Sequence, residues 1–322
     1  MTAVAKGKSK GLIGKLTGSL RKKKAKATDT SAVSKASPFE RQSQSTEPQN
    51  WSTGRLNVVE KLWGMGFVTA GGMERIKQLA PLLHLNEKKS LLLLGAGLGG
   101  ISETLIEETG VWITGYEPDP ELAKMGRESM LRAGLKRKAP INHHSLKELK
   151  LKPKSFDAML SLDTVHFVEN KQALFTAVTQ SLRVGAEMIF VCLVLPDTNP
   201  PGPLVQAWAG QQPQTPHVWP GEAMLAMLNT LDLDVRPPND VTRDYRNCVL
   251  KAWINFLSTM NRAELQDKAQ DVVAECARWA ALITALDRGA LKVLRFSCTR
   301  IAERRKSVEE LLEEAKAAES KG

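Results

Sequence analysis

Ser90–Gly100 reads Ser-Leu-Leu-Leu-Leu-Gly-Ala-Gly-Leu-Gly-Gly, and this stretch limits what the chain can fold into more than any other. Four leucines in a row are apolar on both sides of a strand, which predicts a central strand covered on both faces. The turn that follows carries Gly95, Ala96, Gly97, Gly99 and Gly100. Glycine there permits unusual φ angles and lets a ligand approach the backbone. Ile101–Thr109 predicts a helix whose N-terminus points at that ligand.

A glycine turn of this kind also suits nicotinamide and flavin enzymes. The second strand narrows the reading. Val111–Glu117 ends in an acid about 20 residues after the glycines, where a carboxylate accepts hydrogen bonds from ribose hydroxyls. Pro118-Asp119-Pro120 breaks that strand, and Glu121–Ala133 predicts a helix.

The pattern then alternates. Ile141–Ser145 and Phe156–Asp163 predict a third and a fourth strand, and Lys171–Leu182 a helix. Arg183-Val184-Gly185 is a turn into Ala186–Leu195, a fifth strand. Alternation of this kind gives an α/β fold with a doubly wound, mostly parallel sheet, here of seven strands. Ligands bind at the carboxyl ends of such strands, after Leu94 and at Glu117, Ser145 and Asp163. Pro196–Gly221, rich in Pro, Gly and Gln, leaves the fifth strand on that side with Trp208, His217 and Trp219, and is a candidate substrate cover. Glu222–Asn229 predicts a helix, Leu231–Arg236 and Leu291–Ile301 strands, and Asp240–Met260 with Ala263–Leu286 a helical cap. Upstream, Leu56–Trp63 and Met73–Leu85 predict helices on either side of Gly64–Gly72. That loop holds more glycine than a connector needs, which predicts that it packs on the glycine turn or forms a lid.

The expected organisation is a disordered basic tail over 1–50, a folded domain over 51–302 with cap segments near 196–229 and 240–286, and a charged helix or tail over 303–322. The net charge of +10 is local to the tail. Lys6, Lys8, Lys10, Lys15, Arg21, Lys22, Lys23, Lys24 and Lys26 all precede the first acid, Asp29. The folded part is close to neutral, which argues against a specific nucleic-acid face. Gly11–Leu20 beside Arg21–Lys24 gives the tail two readings, a solubilising segment or a peripheral membrane contact. Nothing in the chain approaches a membrane span, and the basic N-terminus lacks the apolar core of a signal peptide. Cys192, Cys248, Cys276 and Cys298 are scattered without CxxC spacing, which predicts reduced core thiols, no metal and a cytoplasmic protein.

Taken together, the glycine turn, the second-strand acid and the closing strand hairpin resemble the class I S-adenosylmethionine-dependent methyltransferases. Within that family the look is of the phosphoethanolamine, sarcosine/dimethylglycine and sterol type. Leu62–Gly72 is similar to a loop there written F-G-x-G-[FY]-[IV]-S-x-G-G. Ser161–His166 is similar to S-x-D-A-x-x-H, and Asp240–Tyr245 to D-x-[ST]-x-x-Y. The resemblance implies S-adenosylmethionine as cofactor. Its binding residues would be Gly95, Ala96, Gly97, Gly99, Gly100, Glu117, Pro118, Ser145, Asp163, Gly71 and Gly72. Asp163 and His166 would be catalytic, and Trp51, Phe67, Trp208 and Tyr245 would meet the substrate, a small amine or a lipid-like molecule. Ser145 departs from the family pattern by standing where an acid is usual, and His166 by lying one residue closer to Asp163; two further positions depart, Leu93 where an acid is usual and Trp51 where a tyrosine is usual. They keep open a second reading, a non-catalytic methyltransferase-like scaffold or binding protein. The oligomeric state is left open.

Overall fold

The computed structural model describes residues 51–303, apart from the side chains of residues 262, 265 and 267. The expected tail over 1–50 and the expected charged segment Ser307–Lys321 lie outside the described residues. The chain begins with α1 (Thr53–Trp63) and α2 (Gly72–Leu79), then β1 (Ser90–Leu94), α3 (Gly100–Thr109), β2 (Trp112–Glu117), α4 (Pro120–Arg132) and β3 (Ile141–His143). It continues through β4 (Phe156–Leu162), α5 (Lys171–Ser181), β5 (Leu182–Val194), α6 (Pro203–Ala209), α7 (Gly221–Asn229), β6 (Leu233–Val235) and β7 (Asn239–Asp240). The last elements are α8 (Thr242–Thr259), α9 (Arg262–Asp267), α10 (Ala269–Asp287) and β8 (Lys292–Arg300).

The leucine run behaves as a strand with two apolar faces must. Leu91, Leu92, Leu93 and Leu94 are all fully buried. Leu91 and Leu93 enter one core with Ile101 and Leu105 of α3, while Leu92 and Leu94 enter the other with Leu174, Phe175 and Val178 of α5. The strand order is β3-β2-β1-β4-β5-β8-β6, with β1 to β5 parallel and β8 antiparallel to both neighbours. This is the doubly wound sheet expected, with eight strands in place of seven. The extra one, β7, lies beside Leu294 and Arg295 of β8, while β6 lies beside Cys298–Arg300. Pro237-Pro238 separates the two, because proline has no N–H to give the ladder.

Other boundaries also differ from expectation, for local reasons. β3 stops at His143, and Ser145 instead caps a 3-10 turn by accepting the Lys147 N–H. The Arg183–Gly185 turn is a bulge inside β5, since Leu182 already pairs with Phe156 and the register shifts before Ala158 meets Glu187. The cover segment contains α6, started by Pro203 at its first turn. The second cap helix is two helices, α9 opened by a capping box of Asn261 and Glu264, and α10, which parts from it at Lys268. Cys192 and Cys298 are buried as expected, but Cys276 is exposed on α10.

Phe190 of β5 is fully buried between Phe175 and Phe296, with ring centroids 4.7 Å away on each side. Truncating it leaves a cavity that the flanking rings cannot fill. Phe190→Ala is expected to cost about 3–5 kcal/mol, read from the urea unfolding midpoint, with an unchanged slope.

Candidate active site

The carboxyl ends of β1, β2 and β4 open on a cavity of about 380 Å³, closed from above by the loop before α2, by the segment after α6, and by α8 and α10. Its floor begins at Gly95, whose φ of +78° is left-handed. A side chain there would lie 1.9 Å from Oγ1 of Thr164, so the ends of β1 and β4 approach each other only because position 95 is glycine.

Glu117 ends β2 and is 5% exposed. Its Oε2 accepts the Gly97 N–H at 2.7 Å and its Oε1 accepts the Asp119 N–H at 3.0 Å. Burial nevertheless pushes this carboxyl up to about 7, against the opposing pull of those two amides. Asp119 in turn caps α4, accepting the N–H groups of Glu121 and Leu122. At the N-terminus of α3 the Gly100 N–H donates to the carbonyl of Gly66 at 3.0 Å and ties down the upstream loop.

Asp163 follows β4 with a φ of +53°, a left-handed conformation uncommon outside glycine. Its Oδ2 accepts from Nη1 of Arg75 at 2.9 Å, and both side chains are 15% exposed. The Tyr245 hydroxyl of α8 also reaches Oδ2, at 3.5 Å. Burial and the adjacent Asp163 hold the Tyr245 phenol well above its ordinary range, so it stays protonated. Arg75 also donates to the carbonyl of Ala70 at 3.1 Å and lies 5.0 Å from the Tyr245 ring centroid. Burial works against its charge, and Asp163 more than offsets this.

A second ionic cluster closes the cap. Buried Glu275 of α10 accepts from Arg55 at 3.0 Å, from Arg278 at 2.7 Å and from the Trp279 indole at 3.0 Å. Arg55 lies 4.0 Å over the ring of Trp51, and Arg278 donates to the carbonyl of Gln211.

His166 is buried against Phe167 and Trp208, and its Nδ1 has no hydrogen-bond partner. Burial, helped by Lys171, pushes its pKa down to about 3, so the imidazole is neutral across the physiological range. The segment after α6 is pinned to the same turn. The His217 N–H donates to the carbonyl of His166 at 2.7 Å, and the Lys171 ammonium donates to the carbonyls of His217 and Val168.

Of the residues singled out from the sequence, the structure brings Trp51, Gly95, Glu117, Pro118, Ser145, Asp163, His166, Trp208 and Tyr245 onto the wall of this cavity. Gly97 contributes its N–H to Glu117 from behind the wall. Ala96, Phe67, Gly71, Gly72, Gly99 and Gly100 are not among the residues that line the cavity. A side chain on Gly72 would strike the Trp63 carbonyl at 1.9 Å, one on Gly99 would strike Met130 at 2.6 Å, and one on Gly100 the carbonyl of Gly66 at 2.7 Å. Arg75, Arg55, Glu275 and Arg278 were not singled out. Arg75 and Arg55 have partners far along the chain, 88 residues away at Asp163 and 220 away at Glu275, whereas Glu275 and Arg278 pair three residues apart on α10.

With this geometry in hand, comparison with known proteins is direct. Residues 92–190 match the family described as "Methyltransferase domain". The chain carries the class I S-adenosylmethionine-dependent methyltransferase fold. Phosphoethanolamine N-methyltransferase 3 of Arabidopsis thaliana is 26% identical over 130 residues, 40% of this chain and 26% of that protein. This chain thus aligns with about a quarter of the length of that relative. Among solved structures, phosphoethanolamine N-methyltransferase 2 of Haemonchus contortus, bound to S-adenosyl-L-methionine, superposes with a TM-score of 0.66 at 14% identity, over 79% of this chain and 58% of that one. A putative sarcosine dimethylglycine methyltransferase of Galdieria sulphuraria gives 0.58 at 17% identity, over 71% and 85%. Among the described residues no helix is long and apolar enough to cross a membrane, and no cluster could hold a metal.

The raised Glu117 carboxyl sets a pH dependence on this methyltransferase fold. The folded state holds the proton up to about 7, whereas an unfolded glutamate releases it near 4.5. Stability therefore falls as pH rises across that window. Glu117→Gln should flatten this slope in urea titrations between about pH 5 and 7.5, while losing about 1–3 kcal/mol overall, because an amide NH2 then faces a backbone N–H.

Proposed function

We propose that the chain transfers a methyl group from S-adenosylmethionine to a small acceptor, an amine or a lipid-like molecule. The observation that carries this reading is the buried Glu117 carboxylate, held by the turn after β1 and the turn after β2 and facing the cavity at the sheet's switch of direction. Each of its oxygens accepts one backbone N–H and keeps a second lone pair for a ribose hydroxyl. Ser145 and Leu146 line the adjoining wall, where a planar base fits, and the Gly95 turn gives the amino-acid end an approach to the backbone. The cofactor supplies a methyl group on a sulfonium that is already electrophilic.

The protein's own residues then have to orient and to exclude water. Neither named catalytic group is a strong base. His166 is a neutral imidazole held far from its protonated form, and the Asp163 carboxylate is paired with Arg75. They act as hydrogen-bond acceptors that align a nucleophile, with Trp208 packed behind His166. The same weakness favours the second reading, a non-catalytic binding protein on this fold.

Calorimetric titration with S-adenosylmethionine and S-adenosylhomocysteine tests the reading. Saturable binding is expected, abolished by Gly97→Arg and by Glu117→Ala in samples whose circular dichroism is unchanged. Because a ribose donor favours the ionised carboxylate, affinity for S-adenosylhomocysteine should rise as pH goes from about 6 to about 8. Ser145→Asp, which offers an acceptor to an adenine amino group, should tighten the same complex. No binding by the wild-type protein would remove the reading altogether, while binding without turnover on any acceptor would favour the binding protein.

A further inference from the structure

The end of the sheet opposite the cavity carries a charge pattern that methyl transfer does not use. β1 to β4 are parallel, so their amino ends lie together at that edge, with the bulge of β5 beside them. Backbone bonds tie the entering loops to one another. The Trp112 N–H donates to the Lys89 carbonyl, that of Ile113 to the Lys138 carbonyl, and that of Ser155 to the Ser181 carbonyl. The Ser90 hydroxyl donates to the Ser155 carbonyl. These loops are rich in cations. Lys88 precedes β1, Lys136, Arg137 and Lys138 precede β3, and Lys152 and Lys154 precede β4. Five are exposed and Lys138 is half-buried. The ion pairs of this edge lie elsewhere, between Arg183 and Asp157 and between Lys77 and Glu108, and among the described residues none of the six cations has one. The exposed acids left to answer them there are Glu87 before β1 and Glu107 at the end of α3. A domain close to neutral overall is thus markedly positive at this edge.

The same edge exposes apolar side chains among the lysines. Trp112 is 52% exposed, with the Lys138 ammonium 5.9 Å from its ring centroid. Val184 in the β5 bulge is 61% exposed, and Leu131 in the last turn of α4 is 60% exposed. Trp112 and Val184 stand three strands apart in the order β2-β1-β4-β5, about 14 Å at the usual strand spacing, with the loops of Lys88, Lys152 and Lys154 between them. Phosphate recognition on a nucleic acid favours the forked arginine, and it has no use for exposed valine and leucine. Lysines set around an indole and aliphatic side chains suit a bilayer, where ammonium groups meet anionic headgroups and tryptophan rests at headgroup depth.

We infer that this edge of the sheet is a docking surface for an anionic lipid bilayer, with Trp112 and Val184 entering the headgroup layer and the surrounding lysines meeting lipid phosphates. The cavity, at the other end of the sheet, then faces away from the bilayer. Docking here uses no residue of the cavity, so it stands or falls separately from methyl transfer.

The test is co-sedimentation of the full-length protein with phosphatidylcholine vesicles, with and without phosphatidylglycerol. At low salt the anionic vesicles should bind at least about tenfold more tightly, and the preference should fade as salt is raised. Lys136→Glu combined with Lys152→Glu should weaken that binding at least about tenfold, since each lysine near such a surface contributes about fivefold. Brominated lipid in the same vesicles should quench tryptophan emission of the wild type and quench Trp112→Phe much less. Residues 1–50 hold no tryptophan, so this signal reports the folded part and not the basic tail. No preference for anionic vesicles overturns the inference. So does equal quenching of Trp112→Phe. Unchanged affinity in a folded double variant overturns it in favour of the tail, and tighter binding of a single-stranded oligonucleotide than of the vesicles overturns it in favour of nucleic acid. If the double variant does not fold, the quenching comparison decides.

Discussion

Glu117 accepts one backbone N–H from each of the first two strand-to-helix turns, and it does so almost out of contact with water. A carboxylate in such a place costs several kcal/mol unless donors surround it. Two amides reduce that cost without removing it, which is why its proton is held so firmly. The geometry of the site follows from those two bonds. They fix the separation of the β1 and β2 turns and hold Gly97 in its left-handed conformation. They also place Asp119 where it can cap α4.

Above that floor, the site is knitted by guanidinium groups. Arg75 touches three parts of the chain at once, the loop at Ala70, the strand end at Asp163 and the cap at Tyr245. Glu275 gathers α1, α10 and the segment after α6 through two arginines. Buried ion pairs are weak evidence for stability, because desolvation offsets much of the attraction. Here they do a different job, setting the register of the cap on the sheet.

The floor of the site was legible in the sequence, and most of its lid was not. The leucine run, the glycine turn, Glu117 and the long helix α8 are written locally, as apolar runs, glycine spacing and helical periodicity, so they survive without tertiary information. Asp163 was found as a strand end, whereas His166 and Tyr245 were found because a family resemblance pointed to them. Arg75–Asp163 and Arg55–Glu275 join residues 88 and 220 positions apart, and no short-range signal encodes such pairings, while Glu275–Arg278 is a local pair three residues apart on α10. α6 was hidden by a composition that reads as loop, and β7 by its length of two residues. Of the glycines in the loop before α2, Gly66 packs on Gly100 of the turn, while Gly71 and Gly72 pack on Arg75 and Trp63 and Gly99 of the turn packs on Met130 of α4.

The pinning of His217 has a mechanical consequence. Its N–H is held by the His166 carbonyl and its own carbonyl by Lys171, so the strap over the cavity is fastened to the turn that carries the site's histidine. The two sides of the cavity are thus fastened differently: this one through backbone groups, the other, where α1 meets α10, through the Arg55–Glu275 ion pair and the Trp63–Trp279 ring contact.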